Sequence, residues 1–375
     1  MKFFKFNIIS FLILNYSSAY AAPKVEASIS SETIKLYEKM TGQILNEYNP
    51  SSEVLKGLSI KEAAEKITTL DEFQKTKVLS FAAQFADRES EPDFALADDL
   101  QTTILGYILY DLDFRGVLFE DRRFSYTNTS RETYLGGQIL SEAIKQNESD
   151  SDALTNKTAG VQTTNKFGQM NFTAGTTRRQ IPYLISKFLC TDISGWKNPA
   201  IDDRYVRGDI DRYPGKNHDT YQTQCRSCHA PMDALAGAHA NYDYDNNARR
   251  TIKGTRPLKK TRGNQETNAK YPSVKFNVPY TEFWDNLLIT EEMQEHFGWQ
   301  GESFGFGPAS LGQYFSQAER FKTCMVERVS SEICENGESF RKSKTEVSRL
   351  AELFSQNGYN LRLLFADVAQ SQECD

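Results

Sequence analysis

The sequence predicts a mainly α-helical protein in which long irregular loops interrupt the helices. In several stretches apolar residues recur every three or four positions, the spacing of one buried helix face. The clearest stripes are Leu96, Leu100, Ile104, Ile108 and Leu112, then Ile181, Leu184, Ile185, Phe188 and Leu189, and last Leu361, Leu364, Phe365 and Val368. Glycines and prolines break the pattern between them, above all from Trp196 to Gln224. We therefore expect bundle-like groups of helices joined by irregular chain.

The region from 22 to about 111 is predicted to be helical. Apolar residues recur at helical spacing from Ile34 onwards, and Leu70 to Phe85 continues in the same style. Ser59 and Glu62 have the spacing of a capping box at a helix start. No pair of carboxylates or histidines stands out here, so we interpret the region as core-forming.

After residue 111 the pattern changes. Phe124–Asn128 indicates a short strand or an extended loop, and the polar run from Asn147 to Gly160 indicates an exposed connection. A well-patterned helix then ends at Cys190. Trp196 to Gln224 is expected to be loop-like, because glycines and prolines break any helical pattern there.

Helices return towards the C-terminus. One is predicted over Ala309–Val329 and another over Ser343–Phe354, with Gly358 as the residue just beyond its end. Asn360 is predicted to cap the final helix.

The N-terminus has the three parts of a secretory signal peptide. Met1–Lys5 is short and basic, Phe6–Leu14 is apolar, and Ala19–Ala21 is an A-x-A cleavage site. The apolar run is too short to span a bilayer, and no later run approaches the roughly 18 apolar residues that a span requires. We expect residues 1–21 to be removed, and the mature chain to be periplasmic or otherwise exported, without a membrane span.

Charge excludes some classes of partner. The chain has 44 Lys and Arg against 50 Asp and Glu, a net charge of −6, without long runs of one sign. Such a mild balance argues against nucleic acid or anionic lipid as partners.

The strongest motif is Cys225-Arg226-Ser227-Cys228-His229. Two cysteines three apart, with a histidine directly after the second, form the attachment signature of a c-type haem. Each thiol adds to one vinyl group of the porphyrin, and the imidazole of His229 then becomes the proximal ligand of the iron. The motif predicts one covalently attached haem c per chain, held by Cys225, Cys228 and His229.

Two other interpretations of the motif fit less well. A redox-active CxxC opens a helix behind a β-strand, whereas a polar, turn-rich run precedes Cys225 and Pro231 follows closely. A zinc site needs a second ligand pair; His239 follows the motif, but no CxxC or HxxxH partner does. A further alternative leaves His229 as an attachment signal alone, with His218 or His239 on the iron.

The remaining four cysteines are expected to form two disulfides, because an exported protein meets an oxidising compartment. Three pairings are possible among Cys190, Cys324, Cys334 and Cys374. The position of Cys374 at the extreme C-terminus favours Cys334–Cys374, which would hold the last helix in place, and leaves Cys190–Cys324. A Cys324–Cys374 bridge stays open.

A basic patch follows the motif, at Arg249–Lys253 and Lys259–Arg262. It is expected to be a solvated loop; the alternative is contact with a haem propionate or an acidic redox partner.

Six segments share a pattern with one group of bacterial proteins: Asp111–Leu118 and Tyr126–Asn128 ahead of the motif, Cys225–Asp233 and Asn241–Asp243 around it, and Phe321–Cys324 and Gly358–Val368 after it. In these segments the chain resembles the planctomycete-type cytochrome c proteins, in which helical domains of unknown function flank one CxxCH segment. The resemblance spans roughly residues 95–370. It implies a small helical domain at the C-terminus, and it says more about fold and cofactor than about the reaction.

The ligand opposite His229 has four candidates. Met232 follows His229 by three residues and is expected to pack near the haem rather than to ligate the iron. His239 reaches the iron only if the chain folds back over the opposite face. Met293 lies 64 residues (293 − 229) after His229, and Met170 lies in a segment that often carries a methionine in the resembling proteins. Met170 and Met293 are the leading candidates.

Four regions are therefore predicted: 1–21, a signal peptide; 22–190, an N-terminal helical region; 191–296, a haem-binding c-type cytochrome region; and 297–375, a small C-terminal helical domain. The predicted function is one-electron transfer to an unknown redox protein or small-molecule donor or acceptor. The alternatives are a haem enzyme of the peroxidase or oxidase type with an open distal position, and an envelope binding protein with a structural haem. An electron carrier is favoured over a catalyst.

Overall fold

The computed structural model describes residues 28–86, 98–126, 144–147, 158–172, 179–192, 201–202, 219–239, 242–244, 250–252 and 282–374. These residues are mainly α-helical, as the apolar spacing predicts. The predicted signal peptide lies outside them. Within them, no helix is both long enough and apolar enough to cross a membrane.

The helices fall into three groups along the chain. The N-terminal helices are α1 (Ser31–Thr41), α2 (Ser51–Leu55), α3 (Ile60–Ile67), α4 (Asp71–Phe73), α5 (Leu79–Ala83) and α6 (Asp99–Leu109). The middle helices are α7 (Asn165–Asn171), α8 (Gln180–Leu189) and α9 (Arg226–Ala236). The C-terminal helices are α10 (Glu291–Phe297), α11 (Gly307–Gln317), α12 (Glu319–Ile333), α13 (Gly337–Lys342), α14 (Lys344–Gln356) and α15 (Leu361–Ala369).

Shorter elements join them. π-helical turns occur at Gln74–Val78 and Tyr221–Cys225, and 3₁₀ turns at Gln84–Ala86, Phe114–Leu118, Gly237–His239 and Gln372–Cys374. The described ranges contain three antiparallel ribbons of two strands each: β1 (Arg123–Tyr126) with β2 (Ile144–Asn147), β3 (Tyr242–Tyr244) with β4 (Arg250–Ile252), and β5 (Phe283–Asp285) with β6 (Phe304–Phe306).

The predicted helix caps are confirmed. The Ser59 hydroxyl accepts from the amide of Glu62, whose carboxylate accepts from the amide of Ser59 in return. The Asn360 side chain accepts from the amide of Leu363 at 3.1 Å and starts α15. Gly358 lies just beyond α14 with φ 65°, a conformation that glycine adopts without strain.

Two predictions of extent are wrong. The helix predicted over Ala309–Val329 is two helices, α11 and α12, because the chain is extended at Ala318 and the amide of Glu319 donates to the carbonyl of Gly298 at 3.1 Å. The polar run that ends at Gly160 is not exposed at that end. Ala159 is buried, and the Gly160 amide donates to the carbonyl of Glu120 at 2.9 Å.

One hydrophobic core links the N-terminal and C-terminal helices. Its members run from Leu36 to Cys374. Helix α12 packs against α8, α14 and α15, and α15 packs against α3. The described parts of the predicted regions therefore share a core, and the region boundaries stay a prediction.

The disulfide pairing favoured from the sequence is confirmed. Cys190 is bonded to Cys324, with Cα atoms 5.3 Å apart, and Cys334 to Cys374, with Cα atoms 4.6 Å apart. The first bridge joins the end of α8 to α12, and the second joins the end of α12 to the C-terminus.

Candidate haem site

Helix α9 begins at the CxxCH motif. Cys225 is the last residue of the π-helical turn and caps α9, and Cys228 and His229 follow in its first turns. Residues three and four apart are neighbours on a helix surface, so Cys225 lies next to both Cys228 and His229 at the start of α9. The structure therefore brings together the three residues that the motif assigns to the haem.

The chain just ahead of the motif is helical rather than loop-like. Tyr221 to Gln224 form most of the π-helical turn, although the glycine- and proline-rich sequence before them favours a loop. Tyr221 is buried and anchors the turn, and the hydroxyl of Thr223 donates to the carbonyl of Asp219 at 2.7 Å. π-Helical turns are frequent at functional sites.

The two motif cysteines face apolar surroundings. Cys225 packs against a small cluster of Ile201, Tyr221 and Ala230, which Leu287 also joins. Cys228 packs against the main core, and both cysteines are half-buried. Neither is in a disulfide, whereas the other four cysteines are paired.

His229 and the start of α9 are held by neighbouring groups. The His229 ring is half-buried, with its centroid 6.2 Å from that of Tyr221. The guanidinium of Arg226 donates to the carbonyl of Ile201 at 2.7 Å and to the Gln222 side chain at 3.1 Å. These bonds fix the helix on which the motif is carried.

Two of the four candidates for the opposite ligand are buried in the core. Met232 is 4% exposed and belongs to the main core, which agrees with packing. His239 is fully buried, its ring stacked on Phe167 at 5.9 Å and edge-on to Tyr242 at the same distance. His239 is thus part of an aromatic cluster.

The other two candidates are half-buried. Met170, on α7, lines a cleft of about 500 Å³ with Arg179, Tyr183 and Lys187. Met293 lies in the first turn of α10, where its amide donates to the Thr290 hydroxyl at 3.3 Å. The choice between Met170 and Met293 stays open, and His218 lies outside the described residues.

Three contributors to the site were missed from the sequence. Tyr221 and Leu287 line the Cys225 cluster, and the backbone of Gly237, just after α9, lies against the carbonyl of Phe283. A Cβ at Gly237 would lie 1.9 Å from that oxygen. Tyr221 stands four residues before Cys225, so extending the helical spacing backwards would have found it; Leu287 has no such local signal.

The residues present fit a covalently held haem. Two thiols outside the disulfides and an imidazole lie at the start of one helix, and both cysteines pack against apolar residues. In the described part of the chain, no group of three or more His, Cys, Asp or Glu is arranged to hold a metal ion by itself. The basic patch falls largely outside the described residues, apart from Arg250–Ile252 in β4.

Comparisons with known proteins do not assign a family. No protein-family model, no curated protein and no solved structure matches this chain.

Proposed function

We propose that this protein is an exported monohaem c-type cytochrome that transfers single electrons. One observation carries the proposal: the two cysteines outside the disulfides are those of CxxCH, and they lie with His229 at the start of one helix. The two disulfides support export, since such bonds persist in oxidising compartments. The resemblance to the planctomycete-type cytochrome c proteins supports the same cofactor.

Each residue of the site has a defined task in this proposal. The thiols of Cys225 and Cys228 add across the two vinyl groups; each sulfur bonds one vinyl carbon and its hydrogen passes to the other. His229 ligates the iron from the same helix. When bound, the haem supplies a one-electron couple, ferric to ferrous. With the haem bound, the apolar cluster around Cys225 would limit water on one side of the site, and the dryness of the pocket helps to set the potential.

Haem attachment can be tested directly. Expression in a periplasm with the haem-attachment machinery should give a haem stain that survives denaturation and a mass gain of one haem. Cys225→Ala with Cys228→Ala should abolish both. Ser227→Ala is the matched control, because it changes a residue between the cysteines and keeps the motif. An unchanged mass in the native protein contradicts the proposal.

The spectrum of the reduced protein then distinguishes transfer from catalysis. Six-coordinate low-spin iron supports electron transfer, because both axial positions are filled. High-spin iron that binds carbon monoxide or peroxide contradicts a simple carrier and supports a haem enzyme of the peroxidase or oxidase type.

A further inference from the structure

The ribbon of β5 and β6 exposes aromatic rings to solvent. In its register Phe283 pairs with Phe306, and Asp285 with Phe304. Alternate residues of a strand share a face, so Phe283, Phe304 and Phe306 lie together on the outer face. Phe304 is 49% exposed and Phe306 64%. The centroid of the Phe283 ring lies 6.2 Å from that of Phe304 and 5.4 Å from that of Phe306.

The inner face of the ribbon explains why the rings stay outside. Trp284 is buried there and its indole N–H donates to the Ser310 hydroxyl at 2.7 Å. A Cβ at Gly305 would lie 2.7 Å from the Trp284 ring, so no larger side chain fits without displacement of the ring. The exposed rings are therefore a fixed feature of a packed ribbon.

The chain between the two strands is also ordered by its own bonds. The amide of Asn286 donates to the carbonyl of Ser303 at 2.7 Å, and the Trp299 indole donates to the carbonyl of Leu288 at 2.8 Å. Helix α10 belongs to this excursion, and Ile289 just before it is 55% exposed. We call residues 282–306 the aromatic ribbon unit.

The charges of the aromatic ribbon unit all have one sign. It contains no Lys or Arg, although Lys and Arg number 44 in the whole chain. Its acidic residues are Glu282, Asp285, Glu291, Glu292, Glu295 and Glu302, of which the last four are exposed. The exposed rings and the exposed carboxylates thus belong to one unit of negative charge, and a partner of complementary charge is positive.

The unit is continuous with the candidate haem site. Strand β5 packs against α9, the helix that carries Cys228 and His229. The carbonyl of Phe283 lies against the backbone of Gly237, and Leu287 packs on the same small cluster as Cys225. A protein docked on this ribbon would lie next to the helix that holds the haem.

We propose that the aromatic ribbon unit is the docking surface for a basic redox protein, one with an apolar patch surrounded by lysines or arginines. The apolar rings would supply short-range contact and the carboxylates would steer the encounter. This inference rests on the proposed function for its purpose. The electron passes from the ferrous haem of one protein to the ferric haem of the other.

The test uses mitochondrial cytochrome c, a lysine-rich haem protein, as the probe. The same cytochrome with its lysines succinylated is the control probe, because succinylation replaces each ammonium group with a carboxylate and reverses the charge. Calorimetry at low ionic strength measures the dissociation constant, and stopped-flow spectroscopy measures electron exchange. The test variant combines Glu291→Lys, Glu292→Lys and Glu295→Lys. It should bind the native probe about tenfold more weakly and exchange electrons with it about tenfold more slowly. It should bind the succinylated probe more tightly than wild type does.

The control variant has the same change in charge at a distant site. Glu335, Glu338 and Glu373 are exposed and lie around the Cys334–Cys374 bridge, beyond the end of α12. The start of α12 contacts Gly298, which belongs to the aromatic ribbon unit, whereas these three residues lie beyond the other end of the helix. The 15 residues of α12 extend roughly 22 Å, so the control site is distant from that contact. Changing these three to Lys should leave both measurements near wild type. Phe304→Ser with Phe306→Ser should weaken binding about tenfold at any salt concentration.

Several results would overturn the docking surface. These are equal binding of the two probes, an equal effect of the two charge variants, or a dimer in sedimentation that Phe304→Ser with Phe306→Ser dissociates. The haem-free variant Cys225→Ala with Cys228→Ala should still bind the native probe. The binding assay therefore judges the surface even if haem attachment fails, and haem attachment is judged separately by the haem stain and the mass.

Discussion

Loss of the Cys190–Cys324 disulfide should cost more stability than loss of Cys334–Cys374. A disulfide stabilises mainly by restricting the unfolded chain, and the restriction grows with the loop that it closes. The bridges span 134 and 40 residues. For these loops the chain-entropy relation gives about 5 and about 4 kcal/mol at room temperature.

The folded state should survive without the first bridge. The Arg320 guanidinium donates to the carbonyl of Leu189 at 2.9 Å, and that of Arg328 to the carbonyl of Lys187 at 2.7 Å. Both arginines lie on α12 and bind the C-terminal carbonyls of α8, where positive charge is favourable. Helices α8 and α12 therefore stay joined when the sulfurs are removed, and the loss falls mainly on the unfolded chain.

The measurement is urea unfolding followed by circular dichroism. The double variants Cys190→Ala/Cys324→Ala and Cys334→Ala/Cys374→Ala are compared with wild type, and each serves as the control for the other. The first should have the lower free energy of unfolding and the steeper urea dependence, because its unfolded chain expands more. If the second loses more, or if both lose less than about 1 kcal/mol, the loop-entropy argument fails.

Three further predictions concern single residues. His229→Ala should shift the Soret band and abolish the low-spin spectrum of the haem-loaded protein. His239→Phe, which keeps a ring in the aromatic cluster, should retain the low-spin spectrum; the reverse result would put His239 on the iron. Gly237→Ala should lower the free energy of unfolding by about 1–3 kcal/mol, since its methyl group would overlap the carbonyl of Phe283 and force α9 and β5 apart; an unchanged urea midpoint contradicts that contact. Burial raises the pKa of Asp367 to about 6, so the folded protein binds this proton more tightly than the unfolded chain, whose pKa is about 3.9. The free energy of unfolding should therefore fall as the pH rises from about 4 through about 6. Asp367→Asn should raise the free energy of unfolding by about 1 kcal/mol at neutral pH, allowing for the partial exposure of the side chain, and should change it little below pH ~4. An equal gain at both pH values excludes titration of Asp367 as its source.

Local chemistry explains what was predictable. CxxCH is identified by the spacing of three residues, and the Ser59 and Asn360 caps by a side chain and an amide three residues further on. Helical stripes such as that of α8 follow from one buried face. None of these features needs a distant partner, so the sequence by itself determined the helical fold class and the candidate haem-attaching residues.

Long-range contacts decided the rest. The position of Cys374 favours Cys334–Cys374 but leaves a Cys324–Cys374 bridge open. The packing of α8 on α12 decides the matter, because it brings Cys190 to Cys324. The helix expected to continue past Ala318 breaks because the Glu319 amide binds the carbonyl of Gly298, twenty-one residues earlier (319 − 298). The phenylalanines of the aromatic ribbon unit likewise meet only when β5 pairs with β6 across α10. Such features depend on which distant backbone groups and apolar faces satisfy one another, and that is settled only when the whole chain packs.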